Sequence, residues 1–172
     1  MVKVVKFGGS SLASSQQFKK VGEIIHAEES RKYIVPSAPG KRFSDDIKVT
    51  DMLYECYTAA VKGKDYKPLL ENIKKRYYEI INELGLDLSL EKEFSIMESG
   101  FVGKAGRDYA ASRGEYLNGI VLANYLGFEF IDAAEVIFFD DNGNFDADKT
   151  NEILSERLSK VAYAVIPGFY GS

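Results

Sequence analysis

A lysine, a phenylalanine, two glycines and two serines stand in a row at 6–11, directly after a run of β-branched residues. Because such residues favour extended backbone and glycine permits tight turns, the pattern predicts a strand that ends in a loop. The N–H groups of that loop and of the next helix can bind an anion, and Lys6 adds a positive charge. These residues suit a phosphate-binding loop, but taken alone they favour an ordinary glycine turn between a strand and a helix.

A second strand and loop follow at 33–35 and 36–40, where the sequence reads YIV and PSAPG. Between the two strands, apolar residues at helical spacing predict a helix from about residue 15 to 29, opened by a Ser-x-x-Gln capping box at Ser14. Strand, helix and strand in this order predict a parallel βαβ unit. Since the carboxyl ends of parallel strands form the ligand crevice, we expect the two loops to lie side by side.

The chain from about residue 50 to 126 has many helical patterns and few strand signals. Thr50 is predicted to cap the first helix, with Asp51 in its first turn, and capping alone would account for this threonine. Glycines stand where helices would end. The sequence therefore predicts a helical insertion between strands, with helices at 52–62, 68–84, 90–99 and 109–126.

A carboxylate in the last of these helices is the second candidate for chemistry. Ser112 and Glu115 form a Ser-x-x-Glu pattern ahead of an apolar helix face that begins at Leu117. On spacing alone, this pattern predicts a capping box, with Gly114 allowing close packing or helping to start the helix. Nothing in the spacing alone assigns Glu115 to a ligand.

The last third of the chain predicts further strands. We expect strands at 128–131 and 162–166, and a hairpin from 136–139 to about Phe145, with Asn142 and Gly143 in its turn. Thr150 is predicted to cap a helix that runs to about Lys160. The acidic residues around this turn do not fall at EF-hand positions, so a solvated hairpin is favoured over a calcium loop.

Composition bounds the class of protein. Of 172 residues, 45% are hydrophobic and 28% charged, which is typical of one globular domain with a sizeable core. The net charge of -4 argues against nucleic acid or an anionic membrane as a main partner. Cys56 is the only cysteine and His26 the only histidine, so neither a disulfide framework nor a metal ligand set is expected. We expect a soluble cytoplasmic protein with no membrane span.

Taken together, five motifs in this order and spacing resemble those of aspartate kinases, and they span essentially the whole chain. The first motif also resembles other members of the amino-acid kinase superfamily, such as acetylglutamate and uridylate kinases, whereas the helical insertion with SRGE argues for the aspartate branch. Ser10 stands where the family more often has threonine. The motifs are 6–11 (KFGGSS), 36–41 (PSAPGK), 48–54 (KVTDMLY), 111–117 (ASRGEYL) and 165–171 (VIPGFYG).

The resemblance implies an α/β fold, a three-layer αβα sandwich with a mainly parallel sheet. It implies that residues 1–172 are the amino-terminal portion of an amino-acid kinase catalytic domain. By the same likeness, a Gly-Arg-Gly-Gly-Ser-Asp motif, the nucleotide-base half and the regulatory ACT domains lie outside this sequence. We therefore expect this chain alone to be inactive, and the full-length protein to be a homo-oligomer.

The resemblance also implies an activity, which is transfer of the γ-phosphoryl group of ATP to the side-chain carboxylate of L-aspartate. This would be the first step of lysine, threonine and methionine biosynthesis, with Mg²⁺ held through the nucleotide rather than by protein ligands. Lys6 would be the catalytic cation. Phosphate binding would fall to Lys6, Phe7, Gly8, Gly9, Ser10 and Ser37, and aspartate binding to Thr50, Glu115 and Ser37.

Two other functions remain open from the sequence. One is a non-catalytic amino-acid-binding fragment that keeps the fold without the nucleotide half. The other is an amino-acid kinase with a different acyl acceptor. Binding measurements separate the first from a kinase, and a substrate screen separates the second from an aspartate kinase.

Overall fold

The computed structural model describes residues 1–172, and its centre is a sheet of four parallel strands in the order β1-β2-β4-β3. Val5 pairs with Ile34 between β1 and β2, and Ile34 pairs with Val165 between β2 and β4. The predicted parallel βαβ unit is thus formed. The strands are β1 (Lys3–Lys6), β2 (Arg31–Val35), β3 (Glu129–Phe130) and β4 (Ala164–Val165).

Seven α-helices surround this sheet, and four of them, α2 to α5, lie in sequence between β2 and β3. A short 3₁₀ helix, Gly9–Leu12, follows β1. The helices are α1 (Ser15–His26), α2 (Val49–Val61), α3 (Lys67–Glu83), α4 (Glu91–Val102), α5 (Arg107–Leu126), α6 (Ala133–Val136) and α7 (Ala147–Ser159). No helix combines the length and apolar character that crossing a membrane requires.

Alternate residues of the central strands face two separate cores. Ile34 and Val165 belong to the large core with the buried faces of α1 to α5, whereas Ala164 and Ile166 belong to a smaller core against which α7 packs. This alternation follows from the period of two in a strand. The sheet therefore has helices on both faces, which confirms the predicted three-layer αβα arrangement.

Three predicted helix starts differ from the structure, and a fourth is in place but lacks its predicted capping bond. Ser14 precedes α1, but its side chain makes no capping hydrogen bond, and the helix ends at His26 rather than near residue 29. Thr50 lies inside α2, because the helix already begins at Val49 after Lys48. The main-chain N–H of Val49 donates instead to the carbonyl of Pro39 at 3.1 Å, which fixes the helix start against the second loop.

The other two predicted starts also lie inside helices, and the hydroxyls of both residues bond to other groups. Ser112 lies within α5, which begins at Arg107, and its hydroxyl donates to the carbonyl of Tyr109 at 2.7 Å. Thr150 lies within α7, where its hydroxyl accepts from the N–H of Phe138 at 3.0 Å. The carboxylate of Asp146 caps α7 instead, accepting from the N–H of Lys149 at 3.0 Å.

The predicted hairpin is reduced to a turn with one bridge. Val136 ends the short helix α6, so the expected strand at 136–139 does not form, and the bridge joins Phe139 and Phe145. Gly143 has φ of 79°, which suits the predicted turn. The carboxylate of Asp140 accepts from the N–H of Asn144 at 2.8 Å, so this acidic group stabilises the turn.

Candidate active site

The loops that follow β1 and β2 are in direct backbone contact, as the parallel βαβ unit predicts. The N–H of Gly40 donates to the carbonyl oxygen of Gly9 at 2.8 Å. A Cβ atom on Gly40 would lie 2.6 Å from the carbonyl carbon of Gly9, which is closer than real Cβ contacts allow. Glycine at position 40 is thus required by the approach of the two chains, and a cavity opens beside their contact.

This cavity has a volume of about 410 Å³ and lies between the two loops, the start of α2 and the middle of α5. It brings together five of the predicted site residues, which come from segments far apart in the sequence. Six of its ten lining residues have a polar or charged side chain. The lining residues are Gly9, Ser10, Ser37, Ala38, Pro39, Gly40, Lys41, Lys48, Thr50 and Glu115.

Lys6, Phe7 and Gly8 lie beside the cavity rather than in its lining. Lys6 is exposed at the end of β1, and its charge offsets part of the rise that burial causes in the pKa of Glu115. Phe7 packs against the large core, and its N–H donates to the carbonyl of Val35 at 3.0 Å. Both contacts stabilise the pairing of β1 with β2.

Three consecutive backbone donors at the first loop have no partner within the chain. The N–H groups of Gly8, Gly9 and Ser10 precede the first hydrogen bond of the 3₁₀ helix, which runs from the N–H of Ser11 to the carbonyl of Gly8 at 3.0 Å. Free N–H groups at such a turn carry a partial positive charge and suit an anionic oxygen. With Lys6 nearby, the loop has the chemistry of a phosphate cradle.

Glu115 supplies the opposite charge. Its Oε2 atom is buried and accepts no hydrogen bond. Burial raises the pKa of this carboxyl, while the charge of Lys6 and the N–H of Phe169 lower it. Because a buried acceptor without a partner is costly, the site is suited to a ligand that donates hydrogen bonds, above all a cation such as an ammonium group.

Gly114 explains how Glu115 comes to lie beside the second loop. A Cβ atom on Gly114 would lie 2.8 Å from the Cβ atom of Ala38 and 3.1 Å from a methyl group of Leu53. The hydroxyl of Tyr77 also donates to the carbonyl of Gly114 at 2.8 Å. The glycine of the SRGE motif therefore serves close packing of α5 against the loop, one of the two roles that its sequence suggested.

Several site residues could not be inferred from the motifs. The amide of Asn118, one helical turn after Glu115, donates from Nδ2 to the carbonyl of Ser37 at 2.7 Å, and its Oδ1 atom is buried without a partner. The i, i+3 spacing from Glu115 is the only sequence signal for this residue. Lys41 and Lys48 add two cations to the cavity lining; both stand in the motifs of the resemblance, which gave them no role.

The glycine contact leads to a stability prediction. Gly40→Ala is expected to lower the free energy of unfolding by about 1–3 kcal/mol, because the added methyl group meets backbone that cannot move aside. Gly8→Ala is the matched control, since a Cβ atom there meets no heavy atom within 4 Å and φ is -75°. Chemical denaturation of both variants measures the difference, and equal stabilities would refute the close contact.

The side chains of this cavity do not form a metal cage. No group of three or more His, Cys, Asp or Glu residues in the chain is placed to hold a metal ion, and Glu115 is the only carboxylate of the lining. Mg²⁺ prefers several oxygen ligands and is often bound through substrate phosphates. The donor set thus fits a metal ion carried by a nucleotide rather than a resident one.

Comparison with known proteins gives one family for the whole chain. Residues 1–172 match the model of the amino acid kinase family. Aspartokinase 3 of Bacillus subtilis (strain 168) is 32% identical over 185 residues, which cover 99% of this chain and 40% of that protein. The aspartokinase of Chlamydia trachomatis is 36% identical over 95 residues, which cover 55% of this chain and 20% of that protein.

Solved structures agree with these relatives. The aspartate kinase of Clostridium acetobutylicum superposes with a TM-score of 0.95 at 51% identity, over 99% of this chain and 39% of that one. E. coli aspartokinase III, solved in complex with aspartate and ADP, has a TM-score of 0.78 at 18% identity, over 100% of this chain and 41% of that one, and so supports the fold alone. The chain spans about two fifths of the length of the relatives that it matches from end to end.

Proposed function

Because the chain belongs to the amino acid kinase family, we propose that it is the amino-terminal part of the catalytic domain of an aspartate kinase. The proposed reaction transfers the γ-phosphoryl group of ATP to the side-chain carboxylate of L-aspartate, giving 4-phospho-L-aspartate and ADP. The observation that carries this proposal is the pairing of a cationic loop with an unpartnered carboxylate across one polar cavity. The 51% identity to an aspartate kinase supports it.

The chemistry requires positioning and charge neutralisation rather than a base. An aspartate side chain has an ordinary pKa of about 3.9 and is already ionised at neutral pH. One of its oxygens attacks the γ-phosphorus, and the bond from phosphorus to the oxygen that leaves with ADP breaks, so no proton has to be removed. Groups that stabilise charge on the phosphoryl oxygens therefore supply most of the catalysis.

The residues of this chain divide between the two substrates. Lys6 and the free N–H groups of Gly8, Gly9 and Ser10 would bind the transferring phosphoryl group. Glu115 would accept hydrogen bonds from the ammonium group of aspartate, since its buried Oε2 atom has no partner in the chain. Two further polar side chains of the cavity, Ser37 and Thr50, would orient the amino acid and its junction with the nucleotide.

The metal ion of the proposed reaction follows from the chemistry of the nucleotide. Mg²⁺ would be held through the nucleotide, where it neutralises phosphate charge, and the carboxylate-poor lining of the cavity supports this.

The pathway, location and assembly of the full-length protein are further parts of the proposal. The product would enter lysine, threonine and methionine biosynthesis. A single cysteine, Cys56, buried and reduced, supports a cytoplasmic location. A homo-oligomer is proposed for the full-length protein, whose nucleotide-base half and regulatory domains would follow this segment.

The experiment that tests the activity is trapping of the acyl phosphate. The full-length protein is incubated with aspartate, MgATP and hydroxylamine, because hydroxylamine converts an acyl phosphate to a stable hydroxamate. We expect hydroxamate formation that requires both substrates and equals ADP formation. Binding of aspartate without ADP formation would contradict the proposal in favour of a non-catalytic module, and turnover with a different carboxylic acid would indicate another acyl acceptor.

A further inference from the structure

Arg76 is a buried charge that touches both ligand loops. Its side chain comes from α3, which contributes no residue to the lining of the cavity, and only 4% of its surface is exposed. Its Nη2 atom donates to the carbonyl of Gly40 at 3.0 Å and to the carbonyl of Ala13 at 3.4 Å. One guanidinium group thus connects the second loop with the end of the 3₁₀ helix of the first.

Stability alone gives a weak reason for a charge at this position. Moving an arginine out of water costs free energy, and the ion pair that it forms often gains no more than this cost. Proteins in which apolar residues replace a buried ion pair are therefore often as stable as the original. Arginine differs from an apolar residue in its rigid, planar set of donors, which fixes the directions of several hydrogen bonds at once. At position 76, one such donor group bonds carbonyls of two segments that are far apart in the sequence, those of Ala13 and Gly40.

Asp46, the ion-pair partner of Arg76, also binds a second arginine. The Nη1 atom of Arg76 donates to Oδ2 of Asp46 at 2.7 Å. Arg42 also binds this carboxylate, from Nε at 2.8 Å, from Nη2 at 2.9 Å and from its N–H at 2.9 Å. The hydrogen bonds of Arg42 are the largest cause of the lowered pKa of Asp46. Asp46 would therefore keep a charged partner if Arg76 were removed.

We propose that Arg76 is a positioning residue for the phosphoryl donor: by bonding Gly40 and Ala13, it holds the free N–H groups of the first loop at the distance from the second loop that the nucleotide phosphates require. This inference rests on the proposed kinase function. Gly40 is the residue that donates to Gly9, so the guanidinium acts on the phosphate loop through one further hydrogen bond. Glu115 lies on α5 and makes no hydrogen bond or ion pair with Arg76, Arg42 or Asp46.

The test uses Arg76→Met and Arg76→Lys in the full-length protein, with Arg42→Met as the matched control. Both arginines bind Asp46, but only Arg76 reaches the loop carbonyls. We expect Arg76→Met to raise KM for MgATP by at least about tenfold and to change KM for aspartate by less than about threefold. Arg76→Lys should recover part of the loss, and Arg42→Met should leave both constants within about threefold of wild type.

Purely structural and positioning roles give different results. If Arg76→Met lowers the melting temperature but leaves KM for MgATP unchanged in the folded fraction, or raises both KM values equally, the inference is overturned. The same holds if Arg42→Met produces the same selective effect. Failure of the kinase function is recognised separately, because wild type would then form no hydroxamate at any concentration of the substrates.

Discussion

Lys6→Met is expected to lower kcat for aspartate phosphorylation by about 10²–10³-fold, the usual cost of removing one group that stabilises transition-state charge. Lys6 lies at the end of β1, beside three backbone N–H groups that have no partner in the chain. Those N–H groups remain in the variant, so binding of the nucleotide should weaken less than turnover. Steady-state kinetics of the full-length protein with saturating MgATP and aspartate measures the change.

Lys3→Met is the control for this substitution. Lys3 stands at the other end of the same strand, where it forms an exposed ion pair with Glu28, and such pairs contribute about 0–1 kcal/mol. We expect its kcat to stay within about twofold of wild type. A Lys6→Met enzyme that retained normal turnover would show that the charge of this lysine does not act on the reacting phosphoryl group.

Glu115→Gln is expected to raise KM for aspartate by roughly 30-fold or more, because removing one member of a buried charge pair costs about 2–5 kcal/mol. The Oε2 atom of this carboxylate accepts no hydrogen bond inside the chain, so it is available to the ammonium group of the substrate. The variant has nearly the same shape, and KM for MgATP should change little. Kinetics with each substrate varied in turn separates the two effects.

The raised pKa of Glu115 gives this prediction a pH dependence. A carboxyl whose pKa is raised on folding adds stability below its ordinary value and loses that contribution as pH rises through its folded value. Aspartate affinity should change in the opposite direction, because the ammonium group needs the ionised form. We therefore expect the stability term of Glu115 to fall, and aspartate affinity to rise, as pH increases from about 4.5.

Glu115→Gln provides the control for both trends, since glutamine does not titrate. In wild type, ionisation of Glu115 lowers the free energy of unfolding as pH rises, and the variant should lack this contribution. At neutral pH, the variant should therefore unfold at a higher temperature than wild type. A variant that is less stable than wild type at neutral pH would contradict the claim that burial of this carboxylate outweighs its favourable contacts with Lys6 and Phe169. Denaturation at several pH values provides the measurement.

The pattern of apolar residues in the sequence predicted the strands and helices whose buried face is set by side-chain periodicity. The strand before Lys6 and the helix with Phe18, Val21 and Ile25 on its buried face formed as predicted, because side-chain periodicity sets which face is buried. The meeting of the two loops followed from the geometry of parallel strands. What this reasoning could not give was the 2.8 Å contact between Gly40 and Gly9.

Capping patterns were the weakest part of the sequence interpretation. Thr50, Ser112 and Thr150 each had a residue type that suits a helix start, yet all three lie within helices that begin earlier. Two of these hydroxyls bond elsewhere, and Thr50 lines the cavity. A short polar side chain competes for several local partners, and tertiary packing decides among them.

The site residues that motifs missed act over long sequence distances. Arg76 bonds a residue 36 positions earlier, and Asn118 bonds one 81 positions earlier. Neither contact follows a helical or strand period, so only the folded chain places them. Motif resemblance identified the residues of the cavity, whereas the structure was needed to identify the residues that hold the cavity in shape.

The most direct test of the account is a crystal structure of the full-length protein with aspartate and a non-hydrolysable ATP analogue. We predict the aspartate ammonium group at hydrogen-bond distance, about 3 Å, from Oε2 of Glu115. We also predict the γ-phosphate at the N–H groups of Gly8 and Gly9, with the amine of Lys6 beside it. An ammonium group bound away from Glu115, or a γ-phosphate bound away from Lys6, would contradict the account.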